Sequence, residues 1–373
     1  MTETLRIGLD GRAFSSPAAG VRRYVNGLTR ALLALGEPLS VVALGGTNPS
    51  VIPEGVGHVA EPPHLPTNLG WTMVGLPQAA WRAGVDVVHA PAYTAPLWSP
   101  VPVVLTIHDV SYQRHPQWYP YRRDWVRRAF YRASAHAASR VLTISHFSET
   151  EIMAAYGIPA ERIAVTPLGV DGGFLPGDVD RPGDPLAGIR QPYLLHVGDL
   201  HERRNLAMLV EAVLEARRDS SPVRQALSLV LAGEDRGVGD TLRAIAERSG
   251  EADAVVRLGA VDEADLRRLY AGAIALVYPS LYEGFGLPIV EAMACGVPVI
   301  ASRAASMPEV LGDAGILLDP SDRGAWTQAI IDVVGSERTR ARCRAAGLRR
   351  SAEFTWARTA TLTLEAYRQV CAR

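Results

Sequence analysis

Short runs of apolar residues recur along the chain, and segments with helical spacing separate most of them. The runs lie at residues 5–9, 39–44, 85–89, 101–107, 140–144 and 163–166 in the first half, and at 192–198, 227–232, 255–258 and 273–278 in the second. Runs of this length, bounded by turn residues, predict buried strands. Their alternation with helices predicts a parallel sheet in each half of the chain.

Two segments interrupt this alternation. Residues 49–66 are rich in proline and glycine and predict a longer surface excursion, whereas residues 71–81 after them predict a helix. Residues 171–191 are also rich in glycine and proline and lack apolar periodicity, which is typical of a linker. Because 373 residues exceed what a single core usually holds, we predict two domains joined there.

Composition narrows the classes of function. With 48% hydrophobic and 21% charged residues and a formal net charge of −1, the chain has an ordinary globular composition and no global field suited to nucleic acid. Every one of the 38 basic residues is arginine. A Schiff-base lysine, a pyridoxal-phosphate lysine and a P-loop lysine are therefore excluded, and arginine must supply every strongly cationic side chain.

The cysteines and the N-terminus bear on location. Cys295, Cys343 and Cys371 are far apart and fit neither a disulfide framework nor a zinc site. No apolar run approaches the roughly 20 residues of a membrane span, and the chain begins almost directly with a predicted strand. We therefore expect a cytoplasmic protein. The D-x-D-like triplet at residues 178–180 lies in the linker and predicts no metal site.

Residues 278–300 hold the densest candidate chemistry. They predict a strand end, the loop Glu283-Gly284-Phe285-Gly286-Leu287 and a short helix over residues 288–295. The two glycines allow positive φ, so that free amides at the helix N-terminus can bind phosphate. Glu283 and Glu291 flank these amides and can accept hydrogen bonds from hydroxyls. A nucleotide-diphosphate sugar offers both kinds of group; the alternative is two solvated acids around an ordinary α/β turn.

The segment from Glu283 to Glu291, together with the Ala-Met-Ala-Cys-Gly-Val-Pro-Val-Ile that follows it, resembles the E-x7-E motif of the retaining glycosyltransferase family 4. The resemblance implies that Glu283 lies near the donor sugar, that Glu291 holds the ribose hydroxyls and that the backbone at Leu258 lies beside the nucleobase. It also implies a C-terminal helix that returns to the first domain. We thus expect an acceptor-side domain of residues 1–175 with 355–373, and a donor-binding domain of residues 176–354.

Glycine and arginine residues extend the resemblance. Gly20, at the start of the first predicted helix, resembles the family glycine whose amide approaches the donor diphosphate; the alternative is a plain turn glycine. Arg203 and Arg204 stand before a helix start, where the macrodipole disfavours cations unless an anion lies between. The family commonly has Arg-Lys on the diphosphate here. A further family arginine is replaced by Asp199, which leaves open whether Arg203 or Arg204 makes the main contact.

Two histidines end strands of the first predicted sheet, at the edge where open α/β sheets bind ligands. His108 stands in a Thr-x-His-Asp-like context, and the resemblance implies contact with the donor sugar. The alternative is a structural histidine bonded to a strand-end carbonyl. For His89 we favour a structural role over contact with the acceptor. Asp109 either orients His108 or caps a turn.

Residues 122–140 predict a basic amphipathic helix in which arginines interleave with Trp125, Phe130 and smaller apolar residues. Membrane-acting members of the family approach lipid acceptors with such helices, so peripheral contact with anionic lipid is one hypothesis. We favour the alternative, in which the aromatic residues pack on the sheet and the arginines face water.

The expected fold is α/β of the GT-B type, with two facing doubly wound, Rossmann-like domains and an interdomain cleft. The expected reaction is retaining transfer of a hexose, with a lean towards mannose from GDP-mannose, to a hydroxyl of a glycan or lipid-linked acceptor. His108, Glu283, Arg203 and Arg204 are the catalytic candidates. No metal or other cofactor is expected, because the arginines and loop amides would stabilise the leaving diphosphate. The rival hypotheses are a sugar-nucleotide epimerase of this architecture and a non-catalytic nucleotide-sugar sensor.

Overall fold

A computed structural model describes residues 4–46, 48–60, 67–119, 123–177, 189–218, 221 and 225–372. Contacts within the chain divide it into two compact units: unit 1 is Met1–Gly169 with Thr355–Arg373, and unit 2 is Val170–Phe354. Unit 1 thus has its first boundary at Gly169, whereas the expected acceptor-side domain ran to residue 175. The D-x-D-like triplet and Arg122 lie outside the described residues.

Each unit is built on one sheet. The strands described in unit 1 are β1 (Leu5–Asp10), β2 (Leu39–Leu44), β3 (Gly57–Val59), β4 (Val87–Ala90), β5 (Val103–Thr106), β6 (Arg140–Thr143) and β7 (Ile163–Val165). Those described in unit 2 are β8 (Tyr193–Val197), β9 (Ser228–Ala232), β10 (Val255–Gly259), β11 (Ala275–Tyr278), β12 (Val299–Ser302) and β13 (Ile316–Leu318).

Helices connect the strands. In chain order, the described α-helices are α1 (Ala19–Ala34), α2 (Asn68–Gly70), α3 (Leu76–Ala83), α4 (Ser111–Arg114), α5 (Trp125–Ala137), α6 (His146–Tyr156), α7 (Leu206–Arg217), α8 (Gly239–Arg248), α9 (Glu263–Gly272), α10 (Leu287–Ala294), α11 (Met307–Leu311), α12 (Arg323–Gly335), α13 (Glu337–Ser351) and α14 (Trp356–Cys371). A π-helical segment, Trp71–Gly75, joins α2 to α3, so the helix predicted over residues 71–81 is present.

The strands pair in parallel throughout both sheets. The order is β3-β2-β1-β4-β5-β6-β7 in unit 1 and β10-β9-β8-β11-β12-β13 in unit 2. All the strands predicted from apolar runs are present, with small shifts at their ends. Three strands were not predicted: β12, β13 and the edge strand β3, whose residues lie in the proline- and glycine-rich excursion and are half-buried or exposed.

Both sheets have the doubly wound order, in which the first and fourth strands lie side by side. In such sheets ligands bind beyond the carboxyl ends of the strands, at this switch in strand order. The switch lies between β1 and β4 in unit 1 and between β8 and β11 in unit 2. No helix among the described residues is long and apolar enough to cross a membrane.

Candidate functional site

The loops after β8 and β11 meet at the switch point of unit 2. After β8 the chain forms a short 3-10 helix, Glu202–Arg204, before α7 begins. The loop after β11 is joined to it, since the amide of Leu281 donates to the carbonyl of Arg203 at 2.8 Å. Residues predicted from two distant parts of the sequence are therefore brought to one edge of the sheet.

Arg204 is the centre of this edge. Its side chain is buried, with 8% exposure for the residue, and Nη1 forms an ion pair with Oε1 of Glu283, which is 6% exposed. The same nitrogen donates to the hydroxyl of Tyr278, and the guanidinium carbon lies 5.1 Å from the centroid of the Tyr278 ring. The Nε atom of Arg204 is buried and has no hydrogen-bond partner among the described residues. Arg203 is only half-buried.

The candidate phosphate loop leads directly into α10. The helix starts at Leu287, one residue earlier than predicted, and no side chain caps its N-terminus. Gly286 has a φ of +95°, so it uses the positive φ that glycine allows. Uncapped amides at the positive end of a helix dipole favour an anion. Phe285 is buried and Leu287 half-buried.

Glu291 projects from the second turn of α10 and is 1% exposed. The hydroxyl of Tyr270 donates to its Oε2 atom at 2.9 Å. The backbone of Glu283 is fixed separately, because Oγ of the buried Ser306 donates to the Glu283 carbonyl at 2.9 Å. Leu258 lies half-buried at the end of β10, one residue before Gly259 with its φ of +72°.

In unit 1, Gly20 lies in the first turn of α1, at the helix N-terminus where the sequence predicted it. The N-terminus of α1 has no side-chain cap and no acidic residue in its first turn. A Cβ added at Gly20 would meet nothing within 4 Å, and packing within the described residues therefore does not require glycine here. The exposed amides of this first turn form a second potential anion site.

His108 follows β5 and is buried. Its Nε2 lies 3.0 Å from the carbonyl oxygen of Pro91, to which it must donate. Burial lowers the pKa of His108, so the ring is neutral at pH 7. With the proton on Nε2, Nδ1 is an acceptor for a hydroxyl. Asp109 accepts from the amide and the hydroxyl of Ser111 at 2.9 and 2.6 Å, which is a turn-capping role.

His89 is structural, as favoured from the sequence, and the alternative of acceptor contact is wrong. Nδ1 lies 2.6 Å from the hydroxyl of Tyr367 on α14, and Nε2 lies 2.7 Å from Oγ1 of Thr106. Thr106 in turn lies 2.8 Å from the hydroxyl of Tyr24. Both ring nitrogens are thus used inside the core of unit 1.

The α5 helix departs from the favoured interpretation. Its buried residues are Ser134 and Ala135, in the second half of the helix. The first turn has no such core contact: Trp125 is 70% and Val126 57% exposed. The prediction that the aromatic residues pack on the sheet is therefore wrong for Trp125.

Two residues at the site of unit 2, Tyr278 and Tyr270, were not predicted from the sequence as site residues. Both occur in apolar patterns, where a tyrosine is indistinguishable from a packed aromatic residue. The hydroxyl becomes informative only when its partner is known. As for metals, the described residues contain no group of three or more His, Cys, Asp or Glu side chains that could hold an ion.

Comparison with known proteins adds the family. Residues 18–172 match the model described as Glycosyltransferase Family 4, and residues 191–336 match that of Glycosyl transferases group 1. O-antigen chain mannosyltransferase B of Escherichia coli is 35% identical over 271 residues, 71% of this chain and 70% of that protein. MMP alpha-(1->4)-mannosyltransferase of Mycolicibacterium hassiacum is 31% identical over 287 residues, 73% of this chain and 66% of that protein.

A solved structure is similar over the whole chain. Sucrose-phosphate synthase from Thermosynechococcus elongatus superimposes with a TM-score of 0.78 at 24% identity, covering 99% of each chain. This likeness, with the two doubly wound sheets, defines the GT-B class of α/β fold. The family matches go further: the chain belongs to glycosyltransferase family 4 and is a glycosyltransferase.

A pH dependence of stability follows from the buried histidines. Burial lowers the pKa of His196 and of His89 to about 3 from an ordinary value of 6.5. Between these values the unfolded chain binds the proton and the folded chain does not, so stability falls as pH falls through this window. Each histidine lowers the free energy of unfolding by up to about 1.4 kcal/mol for each pH unit of acidification within this window.

Replacement His196→Asn tests this, since the amide can still donate to the Val277 carbonyl, which accepts from Nδ1 of His196 at 3.0 Å. We expect urea unfolding free energies of the variant to decline less between pH 7 and pH 5 than those of the wild type. Equal declines in the two proteins would contradict a neutral, buried His196.

Proposed function

We propose that the protein is a retaining hexosyltransferase that uses a nucleotide-diphosphate sugar. The observation that carries the proposal is the buried Arg204–Glu283 pair beside the uncapped N-terminus of α10. A cation and free amides suit a diphosphate, and carboxylates suit the hydroxyls of the rings on either side of it. Two similar proteins are named mannosyltransferases, which supports mannose as the transferred sugar. The proposed donor is GDP-mannose.

Within this proposal each site residue has a role. Arg204, Arg203 and the amides of the loop from Glu283 to Leu287 hold the diphosphate, as does the amide of Gly20. Glu291 accepts from the ribose hydroxyls, and the backbone at Leu258 lies beside the base. Glu283 and Nδ1 of His108 contact the sugar. These preorganised donors stabilise charge on the leaving group, so that the reaction needs no metal.

The acceptor is proposed to be a hydroxyl of a glycan or of a lipid-linked sugar. Its oxygen bonds to the anomeric carbon as the bond to the diphosphate oxygen breaks, and the departing phosphate oxygen takes the hydroxyl proton. No side-chain base or covalent nucleophile is required. Since the new bond forms on the face that the diphosphate leaves, configuration is retained.

Donor binding is tested by thermal unfolding with GDP-mannose, UDP-glucose and UDP-N-acetylglucosamine. A ligand that binds only the folded state stabilises it by about 2.7 kcal/mol at 100 times its Kd. We expect GDP-mannose to raise the Tm of the wild type and to have little effect on Arg204→Ala and Glu291→Gln. Arg243→Ala is the control, because Arg243 is exposed and pairs only locally with Asp240 on α8. If no sugar nucleotide stabilises the wild type, the proposed donor site is wrong.

The stereochemistry is tested by proton NMR of the first product formed from the α-configured donor with a simple mannoside acceptor. Retention predicts that the new linkage is α at the earliest time points. A β product would contradict the mechanism while leaving the donor site intact.

We further propose that the protein works at the cytoplasmic face of a membrane, with the first turn of α5 in contact with anionic lipid. Trp125 and Val126 are exposed there. Arg123, just before the helix, and Arg132, on the helix, are exposed as well. An apolar residue buried at the headgroup boundary binds a bilayer through the hydrophobic effect, and arginines beside it add electrostatic attraction to anionic lipid.

Flotation with vesicles containing phosphatidylglycerol at low salt tests this contact. We expect the wild type to float and Trp125→Ala and Arg132→Ala to float several-fold less. Trp98→Ala is the control, since Trp98 is 72% exposed but stands in Leu-Trp-Ser-Pro without neighbouring arginines. Wild-type protein that stays at the bottom would rule out the membrane proposal.

A further inference from the structure

Tyr278 ends β11 beneath the candidate donor site and is 1% exposed. Its hydroxyl accepts a hydrogen bond from Nη1 of Arg204, and its ring lies against the guanidinium. That same Nη1 pairs with Glu283. Tyr278 therefore fixes the guanidinium at the nitrogen that also meets the carboxylate.

The remaining surroundings of Arg204 restrict it further. A Cβ at Gly198 would lie 3.0 Å from Nη2, and Gly198 has a φ of +133°, which other residues rarely adopt. The His196 ring stacks on Tyr278 with centroids 5.5 Å apart, and its low pKa keeps it neutral beside the arginine. The guanidinium is thus held in one orientation, with Nε still lacking a partner in the described structure.

Tyr270, in the last turn of α9, holds a second site residue. It is fully buried, and its hydroxyl donates to Oε2 of Glu291 at 2.9 Å. The Phe174 ring meets Tyr270 edge-on at 5.9 Å and limits its movement. A carboxylate has about four acceptor positions, and the phenol occupies one of them and helps to orient the group.

We infer that Tyr278 and Tyr270 are positioning residues for two different parts of the bound nucleotide, the diphosphate and the ribose. Tyr278 acts through Arg204 on the diphosphate, and Tyr270 acts through Glu291 on the ribose hydroxyls. This inference rests on the proposed function, since it takes the donor to bind where Arg204 and Glu291 lie. It goes beyond that function because it assigns the orientation of Arg204 to one buried phenol and that of Glu291 to another.

Separate positioning predicts separable defects. In Tyr278→Phe the guanidinium loses its hydroxyl partner, so the diphosphate contribution to binding should fall while the ribose contribution stays. In Tyr270→Phe the opposite should hold. Loss of one such hydrogen bond is expected to change the relevant affinity about three- to tenfold.

The experiment is a calorimetric comparison of GDP, GMP and 2′,3′-dideoxy-GDP with the wild type and both variants. Tyr278→Phe should reduce the preference for GDP over GMP and leave the preference for GDP over dideoxy-GDP unchanged. Tyr270→Phe should do the reverse. These are ratios within one protein preparation, so a smaller folded fraction does not move them.

Tyr193→Phe is the matched control. Tyr193 is also buried in unit 2, and its hydroxyl donates to the Leu269 carbonyl at 2.7 Å, beside Tyr270 but not to a site residue. Both of its ratios should equal those of the wild type. A general structural effect of losing a buried phenol would instead move the control too.

The outcomes separate this inference from the proposed function. If the wild type binds UDP rather than GDP, the uridine series replaces the guanosine series and tests the inference equally well. Unchanged ratios in both variants, with tight binding by the wild type, overturn the inference alone. No binding of any nucleoside diphosphate by the wild type overturns the donor site and the inference with it.

Discussion

The burial of Arg204 against Glu283 is the constraint on which the loops of the second sheet depend. Removing an ion from water costs several kcal/mol, so each buried charge needs partners of good geometry. Arg204 finds them in Glu283 and Tyr278, and Gly198 leaves the room that the guanidinium occupies. The pair therefore ties the loop after β8 to the loop after β11. Since buried pairs add little to stability, their value here lies in the site that they shape.

In unit 1, the side chains of His89 and His108 at the carboxyl ends of the strands are neutral. His89 is satisfied within the core, and the low pKa of His108 leaves a neutral ring whose Nε2 donates to the Pro91 carbonyl. The neutral ring of His108 and the amides at the start of α1 can bind a ligand by hydrogen bonds without a fixed side-chain charge. The buried cation among the proposed residues, Arg204, belongs to unit 2, so the two sheet edges differ in charge.

The features that could be predicted from the sequence are those set by residues close together in the chain. The apolar runs predicted the parallel strands other than β3, β12 and β13, and Pro288 and Gly296 mark the two ends of α10 because both act through their own backbone. The partners of Arg204 could not be predicted, because they come from a strand and a loop far along the chain. Tyr278 and Tyr270 resemble core residues until their hydroxyls are placed. The exposure of Trp125 and the pairing of β3 likewise depend on tertiary packing, which the amphipathic pattern and the composition of residues 49–66 do not encode.

The absence of lysine gives the site its particular chemistry. A lysine at position 204 would be a point charge on a flexible stem, and one that pairs with Glu283 has to turn away to meet a phosphate. A guanidinium has five N–H donors in a rigid plane. Nη1 of Arg204 serves both Glu283 and Tyr278, whereas Nε is buried without a partner among the described residues. In the proposed function, Arg204 stays paired with Glu283 through Nη1 while Nε remains able to donate to the diphosphate, so the cation is fixed without the donor and need not be reoriented by it.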